Sequence, residues 1–436
     1  MLRFGTDGVR GRVGTELTTR DVESLGLAVA AQWPQAAIVV GHDGRESGEA
    51  LTTAFARGAA TNGNLVTSAG VLPTPALAHA AARQNCVAVS ITASHNPWHD
   101  NGVKVFAPGG RKLTDDEQQQ IESRWHSRGA ATTTTHADSP VVDTTFAVDY
   151  VDALGKGLRI APLDNCSVIV DCANGATSSV AHKVMSALGV RAEVRNAEPN
   201  GRNINEGCGA VHPEALAASC AERKTIGVAF DGDGDRLIAV DEVGRVVDGD
   251  RIIALLALDL HDRGVLARDT VVVTSMTNLG FHQAMQRSGV GVVVTDVGDR
   301  AVLAAMEHGK FVLGGEQSGH IINLLHATTG DGVLAAVLLL DLVRRSGRSL
   351  AELADSVMHR VPQLLRNVKL SNKPASIESL ISDELARERS ALGSEGRIVV
   401  RMSGTEPVVR IMVEAATMET ATAIAERLER AILARV

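Results

Sequence analysis

The chain has 436 residues, a formal charge of −8, 44% hydrophobic residues and only 3% aromatics. That length predicts several domains, with cores built from Val, Leu, Ile and Ala. An acidic, aromatic-poor chain argues against binding nucleic acid by phosphate neutralisation and base stacking, and its longest apolar run, near residues 334–340, is far too short for a bilayer span.

In chain order, Gly5-Thr6-Asp7-Gly8-Val9-Arg10-Gly11 is a Gly-rich loop with Arg10 near its end. A short β-branched run at 38–40 ends in Gly41-His42-Asp43-Gly44-Arg45, and a second at 87–91 ends in Thr92-Ala93-Ser94-His95-Asn96-Pro97. The unit recurs at 168–170 before Asp171-Cys172-Ala173-Asn174-Gly175, at 227–230 before Asp231, at 271–273 and at 292–294. Apolar strands bounded by Gly and alternating with helical stretches predict α/β units with strands buried on both faces. Ligands of such sheets gather at the carboxyl ends of the strands, where these polar loops lie. Thr114-Asp115-Asp116-Glu117 reads as a capping box. Helices are expected at 146–156, 250–260 and 331–345, the last two opening with acidic residues that suit the helix dipole. The Thr/Ala-rich stretch 130–143 reads as a surface loop or hairpin. We expect α/β domains over 1–150, 151–249 and 250–366. A smaller α+β domain over 367–436 would hold strands 398–402 and 408–414 and helix 419–436.

Six segments carry chemistry. Ser94 follows a buried strand, as a nucleophile would, although serine also caps helices; no G-x-S-x-G elbow surrounds it. Lys104, beyond a tight Asp100-Asn101-Gly102 turn, is a candidate phosphate partner, or a proton-transfer group if its pKa is lowered. Asp231-Gly232-Asp233-Gly234-Asp235-Arg236 is the most specific feature. Three carboxylates this close repel unless a cation joins them, and hard oxygen ligands suit Mg²⁺. An EF-hand loop is disfavoured because Arg236 stands where its glycine is required; a plain acidic turn is the other reading. Gly314-Gly315-Glu316-Gln317-Ser318-Gly319-His320, expected after a strand at 310–313, offers Glu316 and Ser318 to sugar hydroxyls, with His320 a contact or a structural histidine. Arg300, in the turn Asp296-Val297-Gly298-Asp299-Arg300, is a candidate ligand contact or a solvated surface residue. Arg401-Met402-Ser403-Gly404-Thr405-Glu406-Pro407 with Arg410 is a phosphate nest or an ordinary turn between strands.

Together, and in this order along nearly the whole chain, these loops resemble the α-D-phosphohexomutase superfamily. The resemblance implies three similar mixed α/β domains and a smaller C-terminal α+β domain around a central active-site cleft. It implies one Mg²⁺ bound by Asp231, Asp233, Asp235 and a phosphate oxygen on Ser94. It also implies transfer between two hydroxyls of a sugar monophosphate through a phosphorylated Ser94 and a hexosamine 1,6-bisphosphate. Arg10, His95, Lys104 and Arg236 would assist transfer. Glu316, Ser318, His320 and Arg300 would contact the sugar. Arg401, Ser403, Gly404, Thr405 and Arg410 would grip the distal phosphate. Gln317, Asp171–Gly175 and Thr328-Thr329-Gly330-Asp331-Gly332 resemble the branch acting on glucosamine phosphates, whereas Thr92 and Met402 depart from it. The rival readings are action on mannose or glucose phosphates, or non-catalytic sugar-phosphate binding. A homodimer is expected from the resemblance, and a kinase is one candidate for first phosphorylating Ser94. Cys86, Cys166, Cys172, Cys208 and Cys220 are odd in number and show no C-x-x-C spacing. They read as free thiols, and with no signal-peptide h-region the expected location is the cytoplasm.

Overall fold

The computed structural model describes residues 2–5, 7–127, 139–370, 377–402 and 407–435. Most of the Thr/Ala-rich stretch therefore lies outside the described residues, as do Thr6, Ser403, Gly404 and Thr405.

Four sheets follow one another. The first orders its strands Val9–Arg12, Asp100–Phe106, Val87–Ile91, Ile38–His42 and Val66–Val71. The second runs Val246–Val247, Leu237–Val240, Ile226–Phe230, Ser167–Asp171 and Arg191–Arg195. The third runs Gly291–Thr295, Thr270–Thr274, Leu313–Gly315 and Ile321–Asn323. The fourth places Val408–Glu414 between Gln363–Lys369 and Arg397–Met402, all antiparallel. Three mixed α/β domains and a smaller C-terminal domain result.

The first three sheets share a device that positions the site. In each, a buried strand pairs in parallel with an inner neighbour and antiparallel with the strand that follows it: Val87–Ile91 with Asp100–Phe106, Ile226–Phe230 with Leu237–Val240, and Leu313–Gly315 with Ile321–Asn323. The loop between the two is the Ser94 loop in the first domain, the aspartate loop in the second and the Glu316 loop in the third. Val87–Ile91 and Ile226–Phe230 are almost wholly apolar and are buried along their length. The polar loops follow them, while Lys104 stands on the next strand, Asp100–Phe106.

The expected helices form as Thr145–Asp152, Gly249–Asp262 and Gly332–Ser346, the first continued by a wider turn over Ala153–Gly157. Thr114 and Glu117 exchange the reciprocal bonds of a capping box. The strand expected at 310–313 starts later, at Leu313, because Lys310 takes a left-handed conformation that ends helix Asp299–Gly309. Asp299 and Arg300, read from sequence as part of a turn, open that helix.

A single apolar cluster runs from the first domain through the linker helix into the second and third, and the fourth has its own. Met402 packs against the fourth domain's core, so it occupies a packing position there. That domain attaches to the third through Arg397, which donates to Thr277 O, and through buried Glu414, which accepts from Leu279 N. No described helix is long and apolar enough to cross a membrane.

Candidate active site

The three loops meet because two glycines permit close backbone approach. A Cβ on Gly232 would lie 2.6 Å from Ser94 O, and one on Gly319 would lie 2.2 Å from Leu237 O. The aspartate loop thus seats on the serine loop, and the Glu316 loop on the aspartate loop.

Ser94 has φ +53°, in the left-handed region that a non-glycine residue avoids. Its neighbours fix it there. Ser94 N donates to Thr92 Oγ1 at 2.8 Å, and Thr92 Oγ1 donates to Asp43 Oδ2 at 2.6 Å. Threonine and serine are equivalent in this role, since only the hydroxyl is used. Ser94 O accepts from Arg45 and from Asn205 Nδ2, each at 2.9 Å. Arg45 is fully buried, pairs with Asp43 at 2.8 Å, and donates to the carbonyls of Ser94, Asn96, Pro97 and Asp100. One guanidinium therefore shapes the whole serine loop. The sequence reading named the 41–45 loop without assigning Asp43 or Arg45 a role. An acid and an arginine two residues apart after a strand were the available signal.

Ser94 Oγ donates to Asp231 Oδ2 at 2.5 Å and lies 3.3 Å from His95 Nδ1. Asp231, Asp233 and Asp235 are buried and bring three ligand oxygens within 4.8 Å of one another. Asp233 Oδ1 and Asp235 Oδ1 are buried without a hydrogen-bond partner. Orphaned acceptors are costly, and a hard cation would satisfy both, so the triad fits a metal ion. The other oxygens are used: Thr74 Oγ1 donates to Asp233 Oδ2 at 2.7 Å, and Lys104 Nζ donates to Asp233 Oδ2 and Asp235 Oδ2, each at 2.8 Å.

The electrostatics follow from this packing. Burial, then the like charges of Asp235 and Asp233, push the Asp231 carboxyl up to about 8. Burial opposes ionisation of Asp235 as well, but Lys104 and His320 outweigh it and hold that carboxyl well below its usual range. Burial opposes the charge on Lys104, yet Asp233, Asp235 and Asp7 raise its pKa well above normal. These three carboxylates hold Lys104 as an ammonium. His95 is pushed down to about 4 by burial and by Arg236 and Arg10, so it is neutral.

Above this cluster opens a cavity of about 620 Å³ lined by Arg10, Ser94, His95, Asp235, Arg236, Glu316, Ser318 and His320. Arg10 NH1 donates to Ala93 O at 3.5 Å. Arg236 Nε is buried and lies 3.9 Å from Asp235. Glu316 Oε1 accepts from Gly298 N at 3.0 Å, and His320 stands between Asp235 at 3.6 Å and Asp299 at 3.7 Å. Arg3, Thr274 and Met276 also line the cavity and were missed from sequence. Arg3 precedes the Gly-rich loop by only two residues, which was the available signal. Lys104 lies beneath the wall. Arg300 is not in the cavity: its guanidinium donates to Gln118 Oε1 at 2.7 Å and Leu113 O at 3.3 Å, and pairs with Asp115. Arg401 and Arg410 face each other across paired strands of the fourth domain and do not line the cavity. Burial, then Arg410, lowers the Arg401 pKa.

This geometry suits phosphoryl transfer: a serine hydroxyl beside an acidic triad that could hold a metal ion, with Lys104, Arg10 and Arg236 around them, where loops of three α/β domains meet. The comparisons agree. Domain profiles described as phosphoglucomutase/phosphomannomutase domain I, domain II, domain III and C-terminal domain match residues 1–131, 148–244, 248–361 and 365–431. The chain belongs to this family, and within it groups with the phosphoglucosamine mutases. It is 44% identical to the phosphoglucosamine mutase of Frankia alni, covering 99% of this chain and 98% of that one. It is 46% identical to that of Thermobifida fusca, covering 98% and 96%. Among solved structures, a putative phosphomannomutase from Thermus thermophilus matches at TM-score 0.82 with 24% identity, covering 99% of each chain. An N-acetylphosphoglucosamine mutase from Aspergillus fumigatus, solved with GlcNAc-6P and magnesium, matches at 0.69 with 18% identity, covering 99% and 95%. These two likenesses concern the fold.

Proposed function

We propose that the chain interconverts glucosamine 6-phosphate and glucosamine 1-phosphate, with Ser94 as the phosphoryl carrier. The observation that carries this reading is Ser94 Oγ held 2.5 Å from Asp231, in a triad with two orphaned carboxylate oxygens. The P–Oγ bond of phosphorylated Ser94 breaks as the free hydroxyl oxygen of the sugar monophosphate bonds phosphorus. The hydroxyl proton ends on Ser94 Oγ, and the sugar becomes a 1,6-bisphosphate. After the bisphosphate turns round, Ser94 Oγ takes the other phosphoryl group and its proton passes back to the released sugar oxygen. Neutral His95 is placed to carry that proton. Lys104, Arg10 and Arg236 supply fixed positive charge. Mg²⁺ held by Asp231, Asp233, Asp235 and a phosphate oxygen on Ser94 would neutralise charge on the transferring group.

Glu316, Ser318 and His320 would hold the sugar, while Arg401, Ser403, Gly404, Thr405 and Arg410 would grip the phosphate that is not reacting. Two like charges on adjacent strands suit an anion that separates them. The amino-sugar preference rests on the similarity to phosphoglucosamine mutases and on Gln317 in the sugar loop. The first phosphoryl group on Ser94 would come from a bisphosphate or a kinase. A cytoplasmic location suits the five free thiols, and a homodimer is the assembly to check by sedimentation.

The test is purified protein with Mg²⁺, a trace of hexose 1,6-bisphosphate and, separately, glucosamine 6-phosphate, glucose 1-phosphate and mannose 1-phosphate. Preferential isomerisation of the amino sugar is expected. Preference for glucose or mannose phosphate would keep the mechanism and overturn the substrate; no isomerisation of any would overturn the mechanism.

A further inference from the structure

We propose that Lys112, Asp299 and Arg300 form a latch between the first and third domains that retains the sugar bisphosphate while it turns round; this rests on the function proposed above. The residues lie behind the cavity wall. Lys112 belongs to the first domain, and its side chain is 11% exposed. Its Nζ donates to Asp7 Oδ1 at 2.8 Å and also to Asp299 Oδ2 in the third domain. Asp7 Oδ2 in turn lies 2.6 Å from Lys104. Asp299 faces His320, His320 faces Asp235, and Asp235 accepts from Lys104. The six groups close a ring of alternating acidic and basic side chains that passes through three domains. Asp7, Asp235, Asp299 and His320 are part of the cavity wall, whereas Lys112 is not.

A second line of contacts runs outside the ring. Arg300 NH1 donates to Gln118, NH2 to Leu113 O, and the guanidinium pairs with Asp115; Thr328 Oγ1 donates to Gly110 O at 2.6 Å. All four fasten the third domain to residues 110–118 of the first. Beside Lys112 and Arg300 the space left is about 20 Å³, against about 620 Å³ in the cavity. That part of the seam is too tight for a sugar phosphate, and charge pairs crossing between the domains keep it so.

Retention matters because of where the phosphoryl group stands in mid-reaction. Once it has left Ser94, both phosphoryl groups are on the sugar. If the bisphosphate escapes then, Ser94 remains an unphosphorylated hydroxyl and the enzyme turns over again only after capturing another bisphosphate. Loosening the seam should therefore raise the requirement for added bisphosphate. A residue that served only the chemical step would lower the rate at saturating bisphosphate and leave that requirement unchanged.

The experiment uses the full chain and its variants Lys112→Met, Arg300→Met and Lys112→Arg. Rates with glucosamine 6-phosphate are measured against added glucosamine 1,6-bisphosphate. Separately, enzyme carrying ³²P on Ser94 is mixed with substrate, and labelled bisphosphate released to the medium is counted. For Lys112→Met, which removes the partly buried pairs to Asp7 and Asp299, we expect the half-saturating bisphosphate concentration to rise about tenfold, and for Arg300→Met, whose partner Asp115 is exposed, about threefold, each by more than the saturating rate falls. Released label should rise in parallel, and Lys112→Arg should restore most of both effects. An unchanged bisphosphate requirement and unchanged release would overturn the proposal, whatever happens to the rate. If Lys112→Met does not fold, Arg300→Met, whose side chain is 25% exposed, decides the matter alone. Wild-type protein without mutase turnover would instead overturn the underlying function, and this proposal with it.

Discussion

The two faces of the cleft are built differently. On the face made by the first two domains, side-chain charges are buried and interlocked: Arg45 with Asp43, and Lys104 with Asp7, Asp233 and Asp235. On the face made by the third and fourth domains, His320 and Asp299 join that network, but other groups are held lightly. Ser318 is exposed, Glu316 accepts from a main-chain N–H, and Arg401 Nε has no hydrogen-bond partner among the described residues. Phosphoryl transfer gains from charges fixed before the reaction. A face that must accept a sugar in two orientations gains from groups that are not already committed. On the function proposed above, the contrast separates a face for chemistry from a face for binding.

The largest test of that contrast is Ser94→Ala. It removes the carrier oxygen and should lower turnover by about 10⁴-fold or more, the scale of losing a catalytic nucleophile. Sugar-phosphate binding, measured by calorimetry, should survive. Turnover within tenfold of wild type would end the carrier assignment.

Next comes Arg45→Met, which tests whether the chemical face is rigid by construction. It leaves Asp43 buried without its cation, and breaking such a pair costs about 3–5 kcal/mol. Denaturant unfolding should show this loss, and Asp43→Asn in the same chain should recover part of it by removing the stranded charge. A loss below about 1 kcal/mol would mean that the serine loop holds its shape without Arg45.

Asp233→Asn should then raise the Mg²⁺ concentration for half-maximal activity by about 100-fold, since a charged oxygen donor becomes a neutral amide. A Mg²⁺ titration superimposable on wild type would remove Asp233 from the metal site.

The same contrast explains what could be read from sequence. The triad, the serine loop and the Glu316 loop were legible because each is a short run of reactive residues after an apolar strand, and the strands follow from β-branched composition. Arg45 was not legible as a scaffold, since its partners are four carbonyls up to 55 residues away and a carbonyl has no sequence signature. Arg300 reads from sequence as a ligand contact or a solvated arginine, and neither reading foresees that its place at the start of helix Asp299–Gly309 turns it toward the first domain. Lys104 was legible as a site residue but not in its charge state, which depends on three carboxylates from distant segments. Local motifs thus pointed to the candidate groups, while long-range contacts set their surroundings and orientation.

The smallest effect contrasts two buried carboxylates near the chemical face. Asp231 belongs to a triad with orphaned oxygens, which a cation can relieve. Asp331 Oδ1 is satisfied instead by Tyr150 Oη at 2.8 Å and Leu334 N at 2.9 Å, and it caps the helix whose Gly332 N donates to Gly234 O of the aspartate loop. Burial pushes the Asp331 carboxyl up to about 6, above its unfolded value. An acid whose pKa is raised by folding binds its proton more tightly in the folded state. Its contribution is therefore fully present below about pH 4 and is lost as pH rises through about 6. Asp331→Asn keeps an oxygen that can accept both bonds and removes the titration. The variant should match wild type in unfolding free energy near pH 4 and exceed it by on the order of 1–2 kcal/mol at pH 8. Mg²⁺ should leave that difference unchanged, because Asp331 has no orphaned oxygen to offer. A difference that stays constant with pH would show that Asp331 is not the group losing stability, and one that Mg²⁺ abolishes would show that the two carboxylates are not distinct.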